Sequence, residues 1–466
     1  MAYSLSDLEL LLADPISFWY GRASGQGRSA ASQAVMAGFR QIGVSQSDPE
    51  VARLLIQFRS NKISAVQSLL SGIAADYNIR IAAYRGDWLA CEAYAVDTMN
   101  RLLWAMMLEK EVFTLPTGHH SSFAESYCAE TGCGDLFAAA LSPASLRGWV
   151  ESVFDLVLGV THSFQQQYPD LTVENVELLH TLQNDPSRLF PWPVEGIKRT
   201  ESVLATLAKH LADLPVHIGL LLTGSLAVDF KRDQFSDIDL FCFCSAIPDD
   251  TVRDRFLESV GARKNWRCGV FEYIDMPGAG VHLLFIPIEN QHWAFRELYE
   301  AGIEVGEVDF SDENRSASFA ASAYRWASGC ILSDTEGALA GFQERARQYP
   351  AQLQERVYQS WVPVWDEHYP IALKALAQRD HLVGLTALHR CIEAALRVLL
   401  ARHQVYANPC DDPKWLVLEI ANLPASQRKA IEPALKYIPA NIGDSLERRL
   451  DMIGELWKLA NPHESA

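Results

Sequence analysis

Apolar residues recur around much of the circumference of the segment from Asp87 to Lys110, Leu89, Met99, Leu102, Leu103, Met106 and Met107 among them. That spacing predicts a helix buried on most of its sides. Residues 1–183 read as helical throughout. The stretch NDPSRLFPWPVEG, residues 184–196, holds three prolines and reads as an irregular linker. Beyond it the pattern changes. Residues 197–212 place Val203, Leu204, Leu207 and Leu211 on one side of an amphipathic helix. The apolar run HIGLLLTGS then predicts a buried strand ending at Gly224-Ser225, and SDIDLFCFC, 236–244, predicts a second. Asp249 or Asp250 is placed to cap a helix over IPDDTVRDRFLESVG. VFEYIDM, PGAG and VHLLFIPI form a hairpin pattern with a glycine turn. From about residue 290 to the end the pattern is helical again.

Residues 87–116 and 380–409 align without a gap. Asp87 falls on Asp380, Leu89 on Leu382, Leu103 on Leu396, Val112 on Val405, Phe113 on Tyr406 and Pro116 on Pro409. An Arg precedes each copy (Arg85, Arg379) and a Tyr lies further back (Tyr77, Tyr369). Two buried helices can match by chance. The shared ending, Val, aromatic, two residues, Pro, favours a true duplication. The expected class is α+β: a central α/β domain with a mixed sheet over 191–300, flanked by two mainly helical, duplicated bundles over 1–190 and 301–466.

Length and composition agree with two or three folded domains, since the chain has 466 residues, 49% hydrophobic and 21% charged. The formal net charge of −18 argues against a polynucleotide partner, which calls for a basic stripe. It favours a small-molecule or protein partner, a cationic one included. The start, MAYSLSDLELLLADP, lacks the features of a signal peptide, and no apolar run approaches ~20 residues, so neither secretion nor a membrane partner is expected. The nine scattered cysteines suit a reducing, cytoplasmic setting. Cys128 with Cys133, and Cys242 with Cys244, lack the paired spacing of a zinc site and read as buried thiols.

The chemistry concentrates in LLLTGSLAVDFKRDQFSDIDLF. A strand ends at Gly224-Ser225, and Asp237-Ile238-Asp239 opens the next. Gly224, without a Cβ, lets backbone approach a ligand closely. Ser225 adds a hydroxyl, and the N–H groups of the following turn suit phosphate oxygens. Asp237 and Asp239 are two apart on a strand, so their carboxylates leave one face and repel unless a cation sits between them. Alone, Gly-Ser is a tight turn and Asp-x-Asp a solvated strand edge; the order of the two, each on its strand, makes the signal.

This arrangement resembles the signature of the DNA polymerase β-type nucleotidyltransferase superfamily, closely over 216–245 and less so to about 290. The resemblance implies in-line transfer of a nucleoside monophosphate, AMP for preference, from ATP or another nucleoside triphosphate to a hydroxyl on a small molecule or protein. Mg²⁺, or Mn²⁺ in its place, would sit on Asp237 and Asp239, with Gly224 and Ser225 on the β- and γ-phosphates. Two departures stand out. Asp229 occupies a position where many members have Gly, with Lys231 and Arg232 nearby to offset it. A third carboxylate, metal ligand and general base in the family, is replaced on the matching strand by His282. An imidazole can take either role, though it favours Mn²⁺ or Zn²⁺ over Mg²⁺. Glu272 or Asp275, one strand earlier, are the alternatives, and a His with no catalytic part would leave a degenerate site.

Antibiotic-type members carry a helical bundle after the catalytic domain, and 301–466 looks like one. Lys414-Trp415 follows the repeated helix only in the second copy, where GHHSSF, 118–123, stands in the first. Lys414 is therefore a candidate phosphate contact, against a solvated loop lysine. Adjacent His119 and His120 read as loop residues rather than metal ligands. Arg397 and His403 have an Arg-x5-His spacing similar to that of ribonuclease toxins paired with minimal nucleotidyltransferases, but the first copy has Trp104 and Lys110 there. The readings carried forward are a metal-dependent nucleotidyltransferase, a catalytically degenerate nucleotide-binding or regulatory protein of the same fold, and an antitoxin-like adenylyltransferase.

Overall fold

The computed structural model describes residues 62–67, 69–71, 79, 82, 87–110, 112, 118–142, 146–171, 173, 196–228, 236–277, 279–296, 299–300, 323–335, 337–407, 416–435 and 442–461. Asp229, Lys231, Arg232 and Lys414 lie outside these residues.

A six-stranded sheet forms the centre, in the order β3-β4-β5-β2-β1-β6. Its strands are β1 (His217–Thr223), β2 (Ile238–Cys244), β3 (Lys264–Cys268), β4 (Phe271–Met276), β5 (Ala279–Pro287) and β6 (Cys330–Asp334). Only the β2–β5 pair is parallel; the others are antiparallel, so the sheet is mixed. The run Leu220-Leu221-Leu222 is buried on both faces, which explains why β1 is continuously apolar rather than alternating. Alternation along β2 sorts the two layers. Leu240 and Cys242 face Leu207 and Phe256, on helices Gly196–Ala212 and Asp250–Ser259. Phe241 and Phe243 face Phe295, Trp326 and Phe342, on helices Ile288–Arg296, Ala323–Ser328 and Ala338–Ala346. Each fully buried Phe or Leu in these layers contributes about 1.5–3 kcal/mol. Asp249 proves to be the cap of its helix, accepting from the Val252 N–H at 2.9 Å.

Helix alone after about residue 290 is not what forms. β6 adds a strand beside β1, and its flanking helices cover the sheet, so the α/β layer extends beyond residue 300.

The remaining helices form two bundles. For reference they are numbered in chain order together with those on the sheet: α1 Trp88–Glu109, α2 His120–Glu130, α3 Gly134–Ala140, α4 Leu146–Gln167, α5 Gly196–Ala212, α6 Asp250–Ser259, α7 Ile288–Arg296, α8 Ala323–Ser328, α9 Ala338–Ala346, α10 Ala351–Ala377, α11 His381–Arg402, α12 Leu416–Glu419, α13 Ala425–Leu435 and α14 Ile442–Ala460. The first bundle packs α1 to α4; the second packs α10 to α14. Their central helices begin alike. Asp87 (φ −78°, ψ 79°) precedes α1 and Asp380 (φ −87°, ψ 77°) precedes α11. They also end alike: Val112 N–H donates to Met107 O at 2.8 Å, and Val405 N–H to Leu400 O at 2.9 Å. The two cores interlock, with Leu382 of α11 packed into the first and Leu89 of α1 into the second. Among the described residues no helix is long and apolar enough to cross a membrane.

Candidate functional site

Asp237, Asp239 and His282 converge at one end of the sheet. Parallel pairing of β2 and β5 sets Asp239 opposite His282, and antiparallel pairing sets Thr223 on the other side of Asp239. Neighbours in register share a face, so the His282 ring and the Asp239 carboxylate are brought side by side. His282 Nδ1 lies 3.0 Å from Asp239 Oδ1 and 3.5 Å from Asp237 Oδ2. One ligand atom from each of the three lies within 4.8 Å of the others, the one such cluster among the described residues. All three are partly exposed, as a site open to a ligand requires.

Gly224 closes the cluster from below. It starts a short 3₁₀ turn, Gly224–Ala227, at φ +70°, a left-handed backbone that glycine adopts without cost. A Cβ there would lie 1.9 Å from Asp239 Oδ2. The backbone of the turn and the Asp239 carboxylate thus occupy one small volume. Ser225, next in the turn, is buried.

Burial pushes the His282 imidazole down, but the hydrogen bond to Asp239 and the charges of Asp239 and Asp237 outweigh it and hold it above its ordinary value. Arg325 on α8 acts in the other sense. The two carboxylates thus favour the protonated form of the imidazole. Two carboxylate groups and one imidazole nitrogen in this spacing fit a divalent cation with mixed oxygen and nitrogen donors, Mn²⁺ more readily than Mg²⁺.

Glu272 does not belong to the site. In the β4–β5 hairpin Tyr273 pairs with His282, so Glu272 points from the opposite face. There it is fully buried and accepts from Arg253 Nε at 2.7 Å and Arg267 Nε at 2.6 Å. It anchors α6 and β3 to the sheet's underside. Asp275 keeps the face of His282 but stands exposed at the level of Gly280, outside the three-residue cluster.

The other candidates resolve differently. His120 N–H, Gly118 N–H and the His120 ring donate to Asp380 Oδ2, while Ser121 N–H and Oγ donate to Oδ1. Burial opposes the Asp380 charge, but this set of donors holds its carboxyl well below the usual range. The start of α2 therefore docks against the beginning of α11, and His120, expected in a loop, is the first residue of that helix. Cys128 is pushed up to about 12 by burial, Cys133 is raised by burial as well, and Cys244 is pushed up to about 12 by the same cause, as inert thiols are. Arg397 is buried, bonded to Glu393 at 3.1 Å and stacked over Trp361 at 4.8 Å. His403 ends α11, its pKa lowered by burial.

Three neighbours of the cluster escape a reading of the motif alone. Tyr273 and Phe271 flank the His282 ring at 5.4 and 5.7 Å between centroids. The hairpin pattern carries that signal, because its register dictates the pairing. Arg325 comes from a helix distant in sequence, and no local spacing announces it.

No family model matches the chain, and no curated protein does. Among solved structures, the chain is similar to a nucleotidyltransferase-like protein from Exiguobacterium sibiricum 255-15. The match has 12% identity, covers 56% of this chain and 74% of that one, and has a TM-score of 0.29. A likeness this distant carries no argument about activity, which rests on the site itself.

Proposed function

We propose that this protein is a metal-dependent nucleotidyltransferase that moves a nucleoside monophosphate, AMP for preference, from a nucleoside triphosphate to a hydroxyl of a small molecule or protein. The observation that carries the reading is the junction of Asp237, Asp239 and His282 with a Gly224 turn that has no room for a side chain. Asp237 and Asp239, with His282 Nδ1 as a third donor, would hold a divalent cation, which supplies charge neutralisation for the triphosphate. The Gly224–Ser225 turn would hold the β- and γ-phosphates.

In the transfer, the acceptor oxygen bonds to the α-phosphorus while the bond to the β-phosphate bridging oxygen breaks and pyrophosphate leaves. The hydroxyl proton needs a base. As the alternative to ligating the metal, a neutral His282 would keep its Nδ1 proton on Asp239 and present the lone pair of Nε2 as that base. The second helical bundle would wall the cleft and select the acceptor. We further infer that the two bundles are copies of one unit, supported by the matched starts and ends of α1 and α11.

A second reading is favoured by one observation. His282 stands where a carboxylate would complete the metal site, and its ring already engages Asp239 through a hydrogen bond. A protein that keeps nucleotide binding and lacks turnover would look the same. Thermal melts with each nucleoside triphosphate and Mg²⁺ or Mn²⁺ test both readings. Saturation near 100 Kd stabilises by ~2.7 kcal/mol. Metal-dependent stabilisation that disappears in Asp237→Asn/Asp239→Asn is expected; wild type with none under any condition rules out nucleotide binding. Pyrophosphate release on adding acceptors then separates the enzyme from the binding protein.

A further inference from the structure

Helix α8 lies over the sheet face that carries the site. Its Trp326 is fully buried, donates from Nε1 to Gln291 Oε1 at 3.0 Å and packs on Phe243 at 5.0 Å between centroids. The turn after α8 is just as fixed, since a Cβ on Gly329 would meet the Leu221 side chain at 2.9 Å. Arg325, next to Trp326, is therefore held by a rigid carrier. Its guanidinium carbon lies 5.5 Å from the Phe241 ring centroid. Phe241 follows Asp239 by two residues on β2 and shares its face. The guanidinium thus stands over the rung next to the one formed by Thr223, Asp239 and His282.

A triphosphate entering here meets two carboxylates, and a single divalent cation does not cancel the charge of four phosphate oxygens and two carboxylates together. A guanidinium meets that need. It stays charged at any working pH, its planar fork binds two phosphate oxygens at once, and stacking on an aromatic ring restricts its orientation in advance.

We propose that Arg325 is the phosphate clamp of this site, binding the α- and β-phosphates of the nucleotide. The inference rests on the reading that the site takes a nucleoside triphosphate. Its chemistry is blind to the base, so ATP, GTP and inorganic tripolyphosphate would all depend on it.

The test is calorimetric titration of the full chain with ATP, GTP and inorganic tripolyphosphate in Mn²⁺, for wild type, Arg325→Gln, Arg325→Ala and Arg325→Lys. Loss of a charged hydrogen-bond pair to phosphate weakens binding roughly tenfold or more. The expected result is that loss for all three ligands in the Gln and Ala variants, with part of it recovered by Lys. Ligand-free melts identify a variant that has failed to fold, and the Lys variant then decides, since its charge can clamp though its fork cannot. Wild-type affinity in folded Arg325→Gln overturns the clamp alone. A loss confined to one nucleotide also overturns it, because the contact would then be to the base. Wild type that binds none of the three ligands overturns the nucleotide reading and the clamp with it.

Discussion

At Gly224 two constraints coincide: a backbone at φ +70° and a neighbour, Asp239 Oδ2, at 1.9 Å from any added Cβ. Either alone is tolerable. An alanine in the left-handed region costs about 1–3 kcal/mol, and an overlapping carboxylate can rotate away at some loss. Together they force the substitution to be absorbed by Asp239 itself, whose bond to His282 then breaks. Gly224→Ala is therefore expected to lower ligand-free stability by about 1–3 kcal/mol and to abolish metal-dependent stabilisation by ATP. Chemical denaturation and nucleotide melts measure the two effects separately. A variant that loses stability yet is stabilised by ATP as wild type is would show that the close approach has no part in binding. The same residue-level geometry explains which residues meet. Gly224 and Ser225 follow β1 directly, Asp237 precedes β2 and Asp239 lies in it, and the two strands are adjacent, so spacing along the chain specifies their meeting. His282 joins them by register. Glu272 fails by one residue, because strand parity sends it to the other face, where Arg253 and Arg267 hold it.

Among elements, α1, α11 and α14 meet at a buried charge cluster that no sequence pattern announces. Glu92 of α1 pairs with Arg449 of α14 and lies 3.1 Å from His389 Nε2 of α11. The surroundings of the cluster are largely apolar, so it adds a charged tie between the first bundle and the second. Burial opposes the Glu92 charge, but Arg449 and His389 overcome it and lower the carboxyl from 4.5 to about 2. Because the folded value is the depressed one, this stabilisation is present above the unfolded value near 4.5 and is lost as the pH falls toward about 2. Denaturant unfolding across that window is expected to show a loss of stability that Glu92→Gln diminishes. Arg449→Met should cost roughly 3–5 kcal/mol near neutral pH, since it strands a buried carboxylate. A cost below about 1 kcal/mol would mean that water or another cation replaces the guanidinium. Elements differ in how well the sequence declares them. β1, β2 and the β4–β5 hairpin carry apolar runs with turn residues at their ends. β6 does not: five residues at a sheet edge, half-exposed along their length, give no period to read.

For the whole molecule, the bundles are built into each other. Leu89 and Leu382 occupy equivalent positions in the aligned segments, and each lies in the core of the other bundle. Asp380 of the second bundle receives the first turn of α2 in the first, and Asn100 Nδ2 donates to Thr386 Oγ1 at 3.0 Å across the same seam. An interface in which equivalent residues exchange places resembles that of a two-fold dimer, here joined within one chain. Such a face cannot stay open in water. A fragment of residues 1–195 would expose the side of α1 that α11 covers, together with Glu92 stripped of its partners, and the fitting cover available to it is a second copy of itself. The fragment is expected to self-associate, with Leu89→Asp shifting it toward monomer, while the same substitution in the full chain destabilises the fold by about 2–5 kcal/mol. Light scattering coupled to size exclusion reads the first outcome and chemical denaturation the second. A well-folded, monomeric fragment with a melting transition close to that of the full chain would show the bundles to be independent units, and the shared core a contact without consequence for folding. Self-association of the fragment, by contrast, would make the seam between bundles the feature on which the folded arrangement around the sheet depends, and would support the reading of the two as copies of a unit whose natural partner is another of its kind.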